Sequence, residues 1–288
     1  MKKPRSIALF THRYTEETEG AIGHLIDTAA GAGVEVRISS EEVEKHGIAR
    51  RDGVVLGSED LEDADLAVVL GGDGTMLRTL RAFAGRQVPV FAFNFGAIGF
   101  LSTVDHGELD SGLERALEGE FDVLGLPALT LEIDGERRLA VNDVSFHRRV
   151  DDRVAKLAYD LEGQRLGEVR CDGLVASTPV GSTGYNLANG GPVLAWGVEG
   201  YVVSFIAPHT LTARALVAGA EDTLTVTNLS ARDDVDVMND GRTVGLLAPG
   251  QQLEVRFERE QVLLAELPGS SFYRRLRQKF GRLAYAGS

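Results

Sequence analysis

Leu66-Ala67-Val68-Val69-Leu70 runs directly into Gly71-Gly72-Asp73-Gly74-Thr75 and then into Met76-Leu77. The first five residues are apolar throughout, as in a parallel strand covered on both faces, and the run stops at the glycines. Met76, Leu77, Leu80 and Phe83 then recur at helical spacing, so the stretch reads as strand, glycine loop and helix. That order gathers backbone N–H groups and a helix N-terminus around one point, which can hold a phosphate without a basic surface. A tight turn with Thr75 as a helix cap is the plainer account of the same residues.

The same grammar extends on both sides. Ser6 to Phe10 reads as a strand, and Ile22, Leu25, Ile26 and Ala29 form the apolar stripe of a helix from Glu17 to Ala30, ended by the turn from Gly31 to Gly33. Val34 to Ile38 returns as a strand, an acidic loop leads to Leu66, and Val90 to Phe93 follows Pro89 as a further strand. The alternation predicts an α/β N-terminal domain with a parallel, Rossmann-like sheet over residues 1–103, closed by Asn94 to Leu101. One more helix is expected from Glu108 to Leu117. Beyond it, short alternating strands are separated by Asp134-Gly135, Glu162-Gly163, Asp240-Gly241 and Pro249-Gly250. These predict an all-β, β-sandwich-like C-terminal domain over residues 104–266, with 267–288 returning to the first domain.

Composition narrows the function classes. The 288 residues are 43% hydrophobic and 25% charged, as in an ordinary globular protein, and no apolar run reaches the roughly 18 residues of a membrane span. Met1-Lys2-Lys3-Pro4-Arg5 precedes only a short apolar stretch, so neither a span nor a signal peptide is expected, and the protein is expected to be cytoplasmic. A net charge of -13 speaks against a general nucleic-acid binder. The single cysteine, Cys171, excludes an internal disulfide or a cysteine zinc site and reads as inert core. The basic cluster Arg274, Arg275, Arg277, Lys279 and Arg282 reads as a solvated helix face.

The Walker-type phosphate loop, the Gly-x-Gly-x-x-Gly fingerprint and the protein-kinase signatures are all absent. The Gly-Gly-Asp-Gly-Thr string leaves NAD kinases, lipid kinases of the diacylglycerol and sphingoid type, and phosphofructokinases. Asp172-Gly173-Leu174-Val175-Ala176-Ser177-Thr178-Pro179-Val180-Gly181-Ser182-Thr183-Gly184-Tyr185, continued by Asn186-Leu187-Ala188-Asn189-Gly190-Gly191-Pro192, closely resembles the signature of the NAD kinase family. Asn142-Asp143, Ala207-Pro208-His209-Thr210-Leu211 with Arg214, Asp240-Gly241, and Gly96 to Leu101 fall in that family's order, so the likeness spans roughly residues 66–245. The lipid kinases' Gly-Thr-Ala-Asn-Asp signature is missing.

The resemblance implies a two-domain NAD kinase fold and transfer of the terminal phosphoryl group of ATP, or of polyphosphate, to the 2′-hydroxyl of the adenosine ribose of NAD. It implies Mg²⁺ or another divalent metal as cofactor, NAD and ATP as small-molecule partners, and a homodimer or homotetramer. A lipid kinase and a non-catalytic NAD(P) sensor are the competing readings. No residue is assigned as a metal ligand.

Asp73 is the expected catalytic residue, with Gly72, Gly74 and Thr75 around the phosphates and Arg78, Arg153 and Arg170 as phosphate partners. Asn142 and Asp143 suit a ribose or adenine edge, or else a turn cap; Asp172 suits a nicotinamide amide or ribose hydroxyl, or else an Asp-Gly turn. Ser182, Thr183 and Tyr185 offer hydroxyls and an aromatic plane to a nucleoside, or else cap a helix, with Gly184, Asn186, Leu187 and Ala188 completing the loop. The chain departs from the family pattern at four places. Gly184 stands for the usual Ala, Asp143 for a common Glu, Arg242 for a common Gln, and Ala215 for a frequent Pro. Arg242 is retained as a binding candidate.

Overall fold

The computed structural model describes residues 2–96, 99–101, 104–149 and 154–284. The chain forms two compact units, Met1–Gly125 with Val262–Ser288, and Leu126–Gln261.

In the first unit, β1 (Ser6–Thr11), α1 (Glu19–Ala32), β2 (Glu35–Ile38), α2 (Ser40–His46) and β3 (Val54–Leu56) precede β4 (Leu66–Gly71) and α3 (Asp73–Ala82). Then come β5 (Val90–Asn94), β6 (Val104–Asp105) and α4 (Leu109–Leu117). The strands β3-β2-β1-β4-β5 lie side by side in that order, all parallel. Every residue of β4 is buried, as its apolar sequence requires. The stripe Ile22, Leu25, Ile26 and Ala29 of α1 is buried as its spacing predicts, and Gly33, left-handed at φ 69°, ends the helix.

Helix α2 falls where an acidic loop is expected. Its signals are local: the Ser39 hydroxyl accepts the Glu42 N–H, acidic residues fill the first turn, Lys45 and His46 the last, and Gly47 closes it in the left-handed region. With only seven residues it shows no apolar stripe long enough to read.

The second unit takes β7 (Asp122–Ile133), β8 (Glu136–Ala140), β9 (Asp143–Arg148), β10 (Ala155–Leu161), β11 (Gln164–Cys171) and β12 (Gly173–Ser177). It continues through α5 (Tyr185–Ala188), β13 (Gly200–Ile206), β14 (Leu216–Gly219), β15 (Leu224–Asn228), β16 (Val235–Asn239) and β17 (Arg242–Leu247) to β18 (Gln252–Glu266). A six-stranded antiparallel sheet has the order β14-β13-β12-β9-β16-β17. The other layer runs β11-β10-β15-β18, with β7 and β8 beyond. Alternate residues of both layers, among them Phe146, Leu174, Val203 and Val237 from one and Leu129, Leu157, Val226 and Val255 from the other, share one core, as in a sandwich. Cys171 lies in that core, and burial pushes its thiol up to about 12.

Strand β18 leaves the second unit and enters the first, where Leu264 pairs with Val90 of β5 and the chain ends in α6 (Phe272–Ala284). The β-rich unit therefore opens about twenty residues later than the sequence suggests. Leu113, Ala116 and Leu117 of α4 and the following Phe121 are buried in the same core as the parallel strands, which keeps that segment in the first unit.

Candidate functional site

The parallel sheet reverses its winding between β1 and β4, because the chain first builds outward to β2 and β3 and then returns to the other side of β1. At such a switch point the carboxyl ends of neighbouring strands part, and open α/β sheets bind ligands there. Here those ends carry Thr11 and Gly71, and the His12 N–H donates to the Leu70 carbonyl at 2.8 Å.

The glycine loop sits at that point. Gly72 is the N-cap residue of α3, extended at φ -96° and ψ -174°, and no side chain caps the helix. The N–H groups of Thr75 and Met76 both donate to the Gly72 carbonyl at 3.0 Å. Thr75 is thus inside the first turn and is not its cap. Asp73 begins the helix, where the macrodipole favours negative charge.

Asp73 is held from the other side by a second backbone segment. The Phe100 N–H donates to Asp73 Oδ2 at 2.8 Å and the Leu101 N–H to Oδ1 at 3.2 Å. Gly99 makes this approach possible, since a Cβ there would lie 1.9 Å from Asp73 Oδ1. Both carboxylate oxygens keep lone pairs for another partner.

Arg78, five residues along α3, reaches back to α2. Its guanidinium donates to Glu41 at 3.3 Å and to Glu42 and the Thr11 carbonyl at 3.4 Å. Glu42 is buried and also holds Lys45 Nζ at 2.6 Å, while the Thr11 hydroxyl lies between Glu42 and His46 Nε2. Burial, then the neighbouring Lys45 charge, lowers the His46 pKa.

A polar cluster in the second unit gathers where β9, β12 and the β16–β17 turn meet. Asp240 lies in that tight turn at φ 46°, followed by Gly241 at φ 75°. Its carboxylate accepts the N–H groups of Val141, Asn142 and Asp143 at 3.1, 2.7 and 3.1 Å, and so fixes the entry to β9. Asp143 is only 6% exposed. Burial, and then the Asp240 charge, raises its carboxyl to about 7. The Asn142 carbonyl accepts the Thr178 N–H at 2.9 Å, and a Cβ at Gly181 would meet that carbonyl at 2.1 Å.

The loop that follows β12 divides into structural and open residues. The Ser182 hydroxyl, fully buried, donates to the Pro179 carbonyl at 2.7 Å and accepts the Leu194 N–H at 2.9 Å. Asn186, also fully buried, donates to the carbonyls of Ser182 and Pro192 at 3.0 Å. Thr183 turns its hydroxyl to the Val180 carbonyl at 3.2 Å. Tyr185, in contrast, is 38% exposed, and its ring stacks on His147 with centroids 5.7 Å apart and planes within 6°. Gly184 and Ala188 are exposed and Leu187 is half-buried. Arg148 Nε donates to Asp172 at 2.7 Å.

The family model for the ATP-NAD kinase N-terminal domain matches residues 18–121, and that for the ATP-NAD kinase C-terminal domain matches residues 141–267. The chain belongs to the NAD kinase family. The NAD kinase of Gemmatimonas aurantiaca is 38% identical over 225 residues, 75% of this chain and 77% of its own length. That of Geotalea daltonii is 30% identical over 283 residues, covering 96% and 98%. Among solved structures, the yeast NADH kinase complexed with NADH has a TM-score of 0.86 at 23% identity, over 100% of this chain and 90% of that one. An NAD kinase from Archaeoglobus fulgidus in complex with ATP has a TM-score of 0.74 at 24% identity, over 97% and 98%. Both of these likenesses concern the fold. Family membership makes the chain a kinase that phosphorylates NAD to NADP, and the matches give no support to a lipid kinase or a non-catalytic sensor.

Measured against this NAD kinase architecture, the residues singled out from sequence separate into groups. Gly72, Asp73, Gly74, Thr75 and Arg78 stand together at the switch point, and Asn142, Asp143, Asp172 and Tyr185 in or beside the polar cluster of the second unit. Ser182 and Asn186 are committed to loop packing and have no exposed surface to offer a nucleoside, which corrects the expectation for both. Arg170 and Arg242 are exposed on β11 and at the start of β17. Arg153, with Ala97 and Ile98 of the Gly96–Leu101 motif, lies outside the described residues. No motif in the sequence marks His147, Arg148 or Arg275 as neighbours of these groups. Arg275, which reads from sequence as part of a solvated helix face, has a side chain only 10% exposed.

Among the described residues, no group of three or more His, Cys, Asp or Glu side chains converges to hold a metal. A magnesium ion arriving with ATP needs no such cage, because it keeps several waters and takes one or two carboxylates besides the phosphates. No helix among the described residues is long and apolar enough to cross a membrane.

Proposed function

We propose that Asp73 orients and deprotonates the 2′-hydroxyl of the adenosine ribose of NAD as that oxygen attacks the terminal phosphorus of ATP, with polyphosphate as a second donor. The observation that carries this reading is the Asp73 carboxylate, aimed by two backbone N–H groups at the head of an uncapped helix. A free carboxylate is a weak base toward an alcohol, so much of its effect comes from placing the hydroxyl in line. Phosphoryl transfer passes through a loose transition state with charge spread over the phosphoryl oxygens. Asp73 and Gly74 open α3, where backbone N–H groups have no intrahelical partner and are available to that charge. A divalent metal bound with the nucleotide would neutralise more of it, and Asp73 is the carboxylate of this loop able to touch such a metal.

The second unit's polar cluster is assigned to the dinucleotide. Asn142 and Asp172 present polar groups to ribose or amide, and the Tyr185 ring offers a face to a base or sugar. Asp143, with its carboxyl raised to about 7, can donate as well as accept at neutral pH. Arg78 reaches a phosphate by leaving Glu41 and Glu42, an exchange of one charged partner for another. Arg153, Arg170 and Arg242 remain candidate phosphate contacts on chemistry alone. A homodimer or homotetramer follows from the resemblance and a cytoplasmic location from the composition, and sedimentation equilibrium and cell fractionation test them.

The purified protein, given NAD, ATP and Mg²⁺, is expected to yield NADP, read by a coupled NADP-specific dehydrogenase. Asp73→Asn should fold, still bind NAD and lose turnover by about 10²- to 10⁴-fold. Full activity in that variant would sink the assignment.

A further inference from the structure

The segment that aims Asp73 is itself held from behind by the C-terminal helix. Arg275 of α6 donates from Nη1 to the Phe100 carbonyl at 2.9 Å, and its Nη2 is paired with Glu266 at the end of β18. The side chains of Arg275 and Glu266 are 10% and 13% exposed, so this is a buried pair. Lys279, one turn on, places its ammonium 4.3 Å from the centroid of the Phe100 ring, and the Phe280 ring lies 6.0 Å away.

Residue 100 is therefore bound through both of its backbone groups. Its N–H donates to Asp73 and its C=O accepts from Arg275. A planar guanidinium with several donors can hold a carboxylate and a carbonyl at the same time, which a lysine cannot do in that geometry. Burial opposes the charge on Arg275 and lowers its pKa, and the negative charges of Glu266 and Asp73 offset part of that cost.

We infer that Arg275 is a positioning residue for phosphoryl transfer: through Phe100 it sets where the Asp73 carboxylate stands, and α6 is thereby a working part of the catalytic loop. This rests on the assignment of Asp73 made above. It identifies one member of the basic C-terminal cluster as a support for chemistry, while Arg277 on the same helix remains exposed.

The effect should appear in turnover and not in dinucleotide binding. Arg275→Gln is expected to lower kcat by roughly 10- to 100-fold, since a misplacement of about 1 Å in a reacting group costs on that order. The Kd for NAD, read by equilibrium dialysis, should stay within about twofold, because ground-state binding does not require the aim of Asp73. Arg277→Gln should keep the parent kcat.

Arg275→Gln leaves Glu266 buried without its partner, so a stability defect must be separated from a positional one. The paired variant Glu266→Leu with Arg275→Leu removes both charges and keeps the volume apolar. If Arg275 were needed only for folding, this pair would turn over like the parent; the inference expects kcat to stay low in a protein with the parent's thermal midpoint. Should the paired variant not fold, Arg275→Lys keeps a cation opposite Glu266 but loses the fork, and about a tenfold loss of kcat is expected. A folded paired variant, or Arg275→Lys, with the parent's kcat overturns the inference. Asp73→Asn assayed alongside separates the two claims. If it keeps full activity the assignment of Asp73 fails first, whereas an inactive Asp73→Asn beside a fully active paired variant defeats only the role of Arg275.

Discussion

Replacing Asp143 by Asn should change how the stability of the second unit depends on pH. The carboxyl is raised from 3.8 to about 7, first by burial and then by the Asp240 charge. Because the folded state holds the proton more tightly than the unfolded state, this group's contribution is fully present below about pH 3.8 and is lost as pH rises through about 7. At about 1.4 kcal/mol per pKa unit, the loss over that window is roughly 4 kcal/mol, an upper figure because side-chain relaxation and water entry reduce it. The asparagine of the variant has the same shape and no proton to lose. The variant should therefore be close to the parent in stability near pH 4.5 and gain on it by several kcal/mol by pH 8.5. Urea unfolding followed by tryptophan fluorescence suits the measurement. The chain has one tryptophan, and Trp196 is 6% exposed within the same unit as Asp143. Taking the difference between variant and parent cancels every other titrating group to first order. A difference that stays flat from pH 4.5 to 8.5 would refute the reasoning.

Gly99→Ala should force the Asp73 carboxylate off its two N–H donors, since the new methyl would stand 1.9 Å from Oδ1 in the present arrangement. A fall in kcat of about 100-fold is expected from steady-state kinetics, with the thermal midpoint little changed; an active Gly99→Ala would show that the aim of Asp73 does not matter. Tyr185→Ala should weaken NAD binding by about 2- to 10-fold, the worth of a stacked aromatic contact, and Tyr185→Phe should keep most of it. Equal Kd values for all three proteins in a calorimetric titration would remove Tyr185 from the nucleotide pocket.

The elements legible in the sequence are those with long periodic patterns or fully apolar runs. The stripe of α1 and the buried run of β4 sit where period and composition place them, because burial on one face or two leaves a mark at every turn or residue. Helix α2 leaves no such mark, and only its capping residues announce it. The glycine loop is legible as a strand-to-helix junction because the strand, the glycines and the helix adjoin in the chain. Its supports are not. Phe100, Leu101 and Arg275 reach Asp73 or its holders from 27, 28 and 175 residues away along the chain, distances at which no local pattern records contact. Ser182 illustrates the opposite error, in that its hydroxyl suits a nucleoside by chemistry but is consumed by the loop's own carbonyl and N–H groups. Sequence shows what a side chain can bond, and only the fold shows what it has already bonded.

The passage of β18 from the second unit into the first gives the protein an order of assembly. The first unit draws on Met1–Gly125 and again on Val262–Ser288, so a ribosome must deliver the whole intervening sandwich before that unit can be completed. Until then the nascent chain carries a parallel sheet whose β5 still lacks the partner strand bearing Leu264, and a Phe100 carbonyl that has not met its guanidinium. The Asp73 loop is thus translated early and finished late, and a message cut short after the sandwich would encode the motif without the helix that aims it.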